Sequence, residues 1–402
     1  MIALAKSEEK KNNAKKKGDK NETNAEGDYE VASQWKLMWW KFRKHKLAMV
    51  AAPILIILYL AAIFADFIAP HLPAERFTSY KYCAPTKLHW VDPDGKFGLH
   101  VYALQSQMDP QTFRVTFVED KSEKYPVRMF VRGQDYKLLG LFKTNVHLFG
   151  LEDPDNDRPF YIMGTDKMGR DLFTRVLYGS RISLSFGFVS LAISMTIGLL
   201  LGGLSGYLGG VIDTVIQRAI DLVVCIPTIP LWMSLAAALP RDWPPLRLYL
   251  GMCVVMSFIG WAGLARVTRG KILSLREEDF TMAARLNGAS HFRIIVRHLI
   301  PSFMSYIIVS ATASIPASIL GETSLSFLGL GLQPPVVSWG VLLQDSQKLE
   351  TLAYNVWQLW PAAFIIVTVL TYNFLGDGLR DRPKEQNLIC FRRDPNYFYS
   401  IA

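Results

Sequence analysis

The sequence predicts an all-α polytopic membrane protein with six transmembrane helices and a small β-containing extracytoplasmic insertion after the first. Three observations carry this expectation. Six apolar stretches, near 47–69, 182–204, 214–239, 246–264, 302–320 and 356–375, lie close to the about 20 residues that cross a bilayer. Lys and Arg crowd the chain before the first stretch, between the fourth and fifth, and after the sixth. By the positive-inside rule that pattern puts both termini in the cytoplasm. Between the first two stretches runs a polar segment of about ninety residues whose pattern is that of strands, long enough for a small domain.

Composition agrees. Half of the 402 residues are hydrophobic and the formal net charge is +9. A basic total points to nucleic acid or to a membrane surface, and the apolar stretches decide for the membrane. The four cysteines, Cys83, Cys225, Cys253 and Cys390, are scattered, with no CxxC and no Cys/His cluster. That spacing excludes a disulfide framework and a zinc site, so free thiols are expected, with no metal and no cofactor.

Residues 1–34 are polar and lysine-rich and cannot bury enough apolar area to offset ordering, so a disordered cytoplasmic tail is expected. In Trp35–Lys46, Trp35, Trp39, Trp40 and Phe42 interleave with lysines and arginine. Such interleaving serves single-stranded nucleic acid in some proteins. Directly before an apolar span it reads as an interfacial belt with snorkelling cations, completing a 35–69 unit. The extracytoplasmic domain, 70–163, shows alternation at Phe113–Phe117, an apolar run at Val127–Val131 and a turn signal at Asp92–Gly95. The transmembrane core is assigned to 164–383 and a second cytoplasmic tail to 384–402.

At the outer face, Asp166, Arg170, Asp171, Arg175 and Arg181 form a charged collar without a nucleophile–base pair or metal ligand set. Gly202, Gly206 and Gly210 follow at the four-residue spacing that lets helices approach closely. In the third stretch Pro227 and Pro230 are expected to bend or break the helix, which is tolerated where a water-filled path or neighbouring helices satisfy the freed carbonyls. Glu322, at the far end of the fifth stretch, is an acid at membrane depth. Together with Ser324 and Pro227 it is a candidate for the transport pathway; the alternative is a carboxylate paired at the interface.

Glu277–Pro301 lies between the fourth and fifth stretches. Phe280, Ala283 and Ala284 fall on one helical face, Asn287-Gly288 stops the helix, and Ser290 can cap a second. In that second helix Phe292, Ile295, Val296 and Leu299 share a face, and Arg285, Arg293, Arg297 and His298 keep the outside basic. Pro301 begins the next segment.

Met282-Ala283-Ala284, Gly288 and Pro301 resemble the cytoplasmic EAA loop of ABC-importer permeases, whose pattern is Glu-Ala-Ala, three residues, Gly, nine residues and Ile-x-Leu-Pro. Met282 replaces the Glu, His298 the Ile and Ile300 the Leu. Gly164-Thr-Asp, Gly169-Arg-Asp171, Tyr207-Leu-Gly-Gly210, Leu325-Ser-Phe-Leu-Gly-Leu-Gly331, Ser338-Trp-Gly340 and Leu375–Asp381 narrow the resemblance. Together they resemble the C-type permease subunit of dipeptide, oligopeptide and nickel importers, over roughly residues 35–383. The segment before Gly164 is longer than that branch usually carries, and the usual Asp-Pro after Asp381 is shortened to Arg382-Pro383.

The resemblance implies the type I ABC-importer permease fold. It implies a second homologous permease, two cytoplasmic ATPase subunits and an extracytoplasmic solute-binding protein as partners, with no nucleic acid. Phe280, Met282, Ala283, Ala284, Arg285, Gly288 and Pro301 would form the ATPase-coupling part of the loop 271–301. Relatives carry peptides, but also sugars and metal complexes. No Gly-x-x-x-x-Gly-Lys-Ser/Thr loop is present, so ATP would be hydrolysed by partners and not by this chain. A membrane-embedded enzyme at Asp166–Arg175 and a passive channel are the rival readings.

Overall fold

The computed structural model describes residue 39 and residues 42–91, 97–111, 113–138, 140–151, 160–240 and 242–380. The expected tails at 1–34 and 384–402, the turn at Asp92–Gly95, Arg382-Pro383, Cys390 and most of the Trp35–Lys41 belt lie outside these residues.

Among the described residues five helices are long and apolar enough to cross a membrane, and six if one bent pair counts as a single span. The first, α1, runs Lys46–Ile63 and is capped by His45, whose Nδ1 accepts the Ala48 amide at 3.1 Å. Next comes an antiparallel meander of β1 (His89–Val91), β2 (Phe97–Met108), β3 (Val115–Leu138) and β4 (Phe142–Leu151). β3 is 24 residues long because it serves two neighbours: Val115–Pro126 pairs with β2, and Val127–Leu138 pairs with β4. The alternation at Phe113–Phe117 starts one turn too early. Phe113 has φ 54° and closes the β2–β3 turn, with its amide on the Asp109 carbonyl.

α2 spans Leu172–Leu208, starting ten residues before the expected span. Its first turns carry Arg175 and Arg181, which a hydropathy reading assigns to the interface, yet Leu172, Val176 and Leu177 there are buried. α3 (Gly210–Cys225) and α4 (Thr228–Ala237) meet at an angle of 91° around Ile226-Pro227. Pro227 has no N–H to continue α3, so the chain breaks where the sequence placed the break. α5 (Pro245–Leu275) continues eleven residues beyond the expected end. Its last turns carry Arg266 and Arg269, which pair with Asp221 at 3.0 Å and Asp213 at 2.5 Å. Further helices include α6 (Asp279–Leu286), α7 (Met304–Phe327), α8 (Trp339–Leu343) and α9 (Trp360–Leu379).

The central packing is α2 against α5, running parallel. A Cβ placed on Gly198, Gly202 or Gly206 would fall 3.0, 2.4 and 2.8 Å from the carbonyl oxygens of Trp261, Ala265 and Arg269. These three glycines, and not the triplet ending at Gly210, are the close-approach stripe. Gly210 sits in the α2–α3 turn at φ 58° with open space around it. α9 packs antiparallel to α1, with Tyr59 and Tyr372 hydroxyls 2.6 Å apart.

Candidate functional site

The hairpin that follows α5 is built by local rules. Asn287 ends α6, and Gly288 takes φ 75°, a left-handed conformation that glycine adopts without a Cβ penalty. The Gly288 amide donates to Arg285 O at 3.0 Å and the Ala289 amide to Ala284 O at 3.1 Å, the two bonds of a Schellman cap. Ser290 caps the next helix, its Oγ accepting the Arg293 amide.

That second helix departs from the expected face. Ile294, Ile295, Leu299 and Ile300 are buried, whereas Phe292 and Val296 are exposed. The reason is a π-helical turn at Ile294–Leu299, flanked by short helices at His291–Arg293 and Ile300–Ser302. A π turn repeats at i+5, so Ile294 stacks with Leu299 and Ile295 with Ile300. Pro301, lacking an N–H, cannot donate to the Arg297 carbonyl, which favours this wider turn.

The buried edge seats the hairpin on the ends of α2 and α5, against Tyr207, Ile272 and the half-buried Leu275 and Ala284. Thr281 locks it further, donating its hydroxyl to Leu275 O at 2.9 Å. The Arg285 guanidinium lies 5.6 Å from the Tyr207 ring centre, and the His291 ring lies 5.5 Å from the same ring, tilted by 53°. Ala284 therefore points partly inward. The outward crest is Phe280, Met282, Ala283 and Leu286, with Leu286 88% exposed.

At the opposite end of α2 the expected collar resolves into separate groups. Asp166, 1% exposed, accepts from Arg170 Nε at 2.7 Å and from Arg175, while its other oxygen takes the amides of Met168 and Arg170. Asp171 is the N-cap of α2, accepting the Thr174 amide at 3.0 Å. Arg181 joins neither; it pairs with Asp66 at the end of α1 at 2.8 Å, and Tyr178 donates to the same carboxylate at 2.6 Å. Asp166 and Asp66 are spent on guanidiniums and Asp171 on capping α2, and the enzyme reading of Asp166–Arg175 gains no reactive group from the geometry.

Glu322 has no exposed surface. Its Oε1 accepts the hydroxyls of Ser326 and Ser338, both at 2.8 Å. Ser338 also caps α8, and Trp339 beside it donates its amide to Ser183 at 3.1 Å. Glu322 thus ties the loop after α7 back onto α7, and it is not among the residues that line the open cavity against α7. Ser324 and Pro227 are exposed. An open cavity of about 540 Å³ lies instead between α2, α4, α5 and α7. Ser310, Ser314 and Ser318, a turn apart on α7, face it together with Gly260, Gly263 and Trp232. The i, i+4 serine spacing was the available signal for this wall, masked by the apolar residues between.

Residues 198–382 match the family described as "Binding-protein-dependent transport system inner membrane component", and residues 33–85 match the "N-terminal TM domain of oligopeptide transport permease C". A dipeptide transport system permease protein of Bacillus subtilis is 31% identical over 345 residues, covering 85% of this chain and 83% of the relative. The chain belongs to this family of binding-protein-dependent permeases. An oligopeptide transport system permease protein of Escherichia coli K12 is 39% identical over 236 residues, 58% of this chain and 75% of the relative. A glutathione transport system permease protein of Escherichia coli O1:K1 is 31% identical over 354 residues, 88% of this chain and 90% of the relative. The protein is accordingly a multi-pass inner-membrane transport subunit of an ABC importer and not an enzyme. Its crest, cavity and glycine stripe are parts of a permease.

Proposed function

We propose that this chain forms half of the translocation pathway of an ATP-driven peptide importer, paired with a second, homologous permease. Two ABC ATPase subunits engage the hairpin from the cytoplasm, and an extracytoplasmic binding protein delivers the peptide. Both termini and the hairpin then lie inside, and the sheet between α1 and α2 lies outside. The names of the matched relatives, which handle dipeptides, oligopeptides and glutathione, support peptide as cargo.

The observation that carries the reading is the hairpin: an apolar crest on a body clamped to the ends of α2 and α5. A partner groove can receive Phe280, Met282 and Leu286 as a short helix in a cleft. Because Ile294, Ile295 and Leu299 are locked against Tyr207 and Ile272, movement of the crest is transmitted to both helices. Those helices form two walls of the 540 Å³ cavity, so the ATPases' closure would change its shape. Serine hydroxyls on the α7 wall offer uncharged polar contacts suited to a peptide backbone of any side-chain charge.

The test is Leu286→Glu and Ala283→Glu in cells that depend on this system for peptide uptake. Both positions are exposed, so insertion and abundance should match the unaltered protein while ATP-dependent uptake falls at least tenfold. Undiminished uptake in both variants would remove the coupling role.

A further inference from the structure

A second cavity, of about 750 Å³, lies on the flank of the bundle between α1, the first half of α2 and the β3–β4 hairpin. Its walls are Tyr59, Ile63, Leu184 and Phe188, from two membrane-crossing helices, and Lys137 and Gly140 of the hairpin form its rim. Ile63 and Phe188 are 45% and 47% exposed. The other rim charges are committed: Arg181 pairs with Asp66, and its remaining donors go to the carbonyls of Ala62 and Ile63.

Lys137 is different. In the β3–β4 ladder it lies directly opposite Lys143. Like charges in that position repel, and among the described residues neither lysine is paired with an acid. Beyond them the hairpin tip is apolar, with Leu141 76% and Phe142 67% exposed. Two cations and an apolar tip, set over a cleft in the side of membrane-crossing helices, match a phospholipid from headgroup to chains.

We propose that this groove holds one anionic glycerophospholipid, its acyl chains against Tyr59, Leu184 and Phe188 and its phosphate between Lys137 and Lys143. The lipid neutralises the lysine pair and ties the inserted sheet to α1 and α2. Inorganic phosphate would satisfy the lysines but leave the cleft unfilled.

Native mass spectrometry of the full chain in mild detergent distinguishes these cases, after addition of phosphatidylglycerol, phosphatidylcholine of matched chains, or inorganic phosphate. Phosphatidylglycerol should be retained at least five-fold over phosphatidylcholine, and Lys137→Glu should reduce that preference by more than five-fold, because about five-fold is the worth of the one cation removed near an anionic headgroup and the new carboxylate adds repulsion. Ile63→Trp, which fills the cleft from an exposed position, should lower retention of both lipids several-fold. Equal retention of the two lipids, or a preference unmoved by Lys137→Glu, would overturn the proposal. So would retention of phosphate alone, or of phosphatidylglycerol at unchanged level in Ile63→Trp.

Discussion

Replacing Gly202 with alanine probes the contact through which the hairpin reaches the cavity. The added Cβ would stand 2.4 Å from Ala265 O, 2.8 Å from Ala265 Cα and 2.8 Å from Thr268 Cβ. An ordinary contact starts near ~3.4 Å, so α2 and α5 must separate by about 1 Å, a gap that forfeits a quarter to a half of each facing atom pair's attraction. The obstructing atoms are backbone, which cannot rotate away, so the upper part of the overpacking range applies, about 2–3 kcal/mol. Alanine in a helix interior returns roughly 0.5–1 kcal/mol relative to glycine, leaving a net loss of about 1–2.5 kcal/mol. Gly270→Ala in α5 is the control, since nothing lies within 4 Å of its Cβ, and it should be neutral or slightly stabilising. The assay is the thermal midpoint of the detergent-solubilised chain, followed by monodispersity on heating. A Gly202→Ala midpoint equal to or above that of the unaltered protein would refute the close-approach argument.

Three further outcomes are expected. Gly288→Val should cost about 1–2 kcal/mol, because φ 75° is a left-handed conformation that a β-branched residue resists; a midpoint no lower than that of an exposed helical valine control would contradict it. Arg175→Met removes one of two cations from the buried Asp166 and should cost about 3 kcal/mol, the low end for a broken buried pair because Arg170 remains. Lys167→Met, which breaks the more exposed pair with Asp345, should cost at most about 1 kcal/mol, and equal losses from the two would sink the distinction. Burial pushes the Cys83 thiol up to about 12, so almost none is thiolate at pH 8. Cys83 should therefore resist maleimide in the folded protein and react only after denaturation, as peptide mass mapping would show.

Much of this architecture is written in local patterns. Apolar length marks every span, Pro227 marks the break between α3 and α4, and Ser290 and Gly288 mark the hairpin's caps. Each of these is read from one contiguous stretch of chain. What the sequence concealed depends on partners far away. Arg181 reads as part of the outer collar because its carboxylate, Asp66, sits beyond the first span, and the apolar run alone starts α2 ten residues late. Glu322 reads equally as a pathway acid or a paired carboxylate, because Ser338, which holds it, lies beyond the next loop. The glycine stripe was misplaced by one step for a similar reason. Gly198, Gly202, Gly206 and Gly210 share one spacing, and only the course of α5 shows which of them are crossed.

The π turn at Ile294–Leu299 bears most directly on mechanism. A regular helix would have buried Phe292 and Val296 and turned Ile294 outward; the extra residue per turn moves four branched aliphatics onto the ends of α2 and α5. Phe292 is thereby left exposed, as are Phe280, Met282 and Leu286 on the crest. Met282 belongs to that set: where the family's loop usually places a carboxylate, this chain places an exposed thioether. A flexible, polarizable side chain among apolar neighbours binds by packing and tolerates imperfect fit. If an ATPase receives this crest, its complementary groove must be apolar at that position, and a basic residue placed there to meet a glutamate would be left unpaired. Met282→Glu then introduces a charge opposite an apolar wall and should lower ATP-dependent uptake at unchanged abundance, and uptake equal to that of the unaltered protein would contradict this.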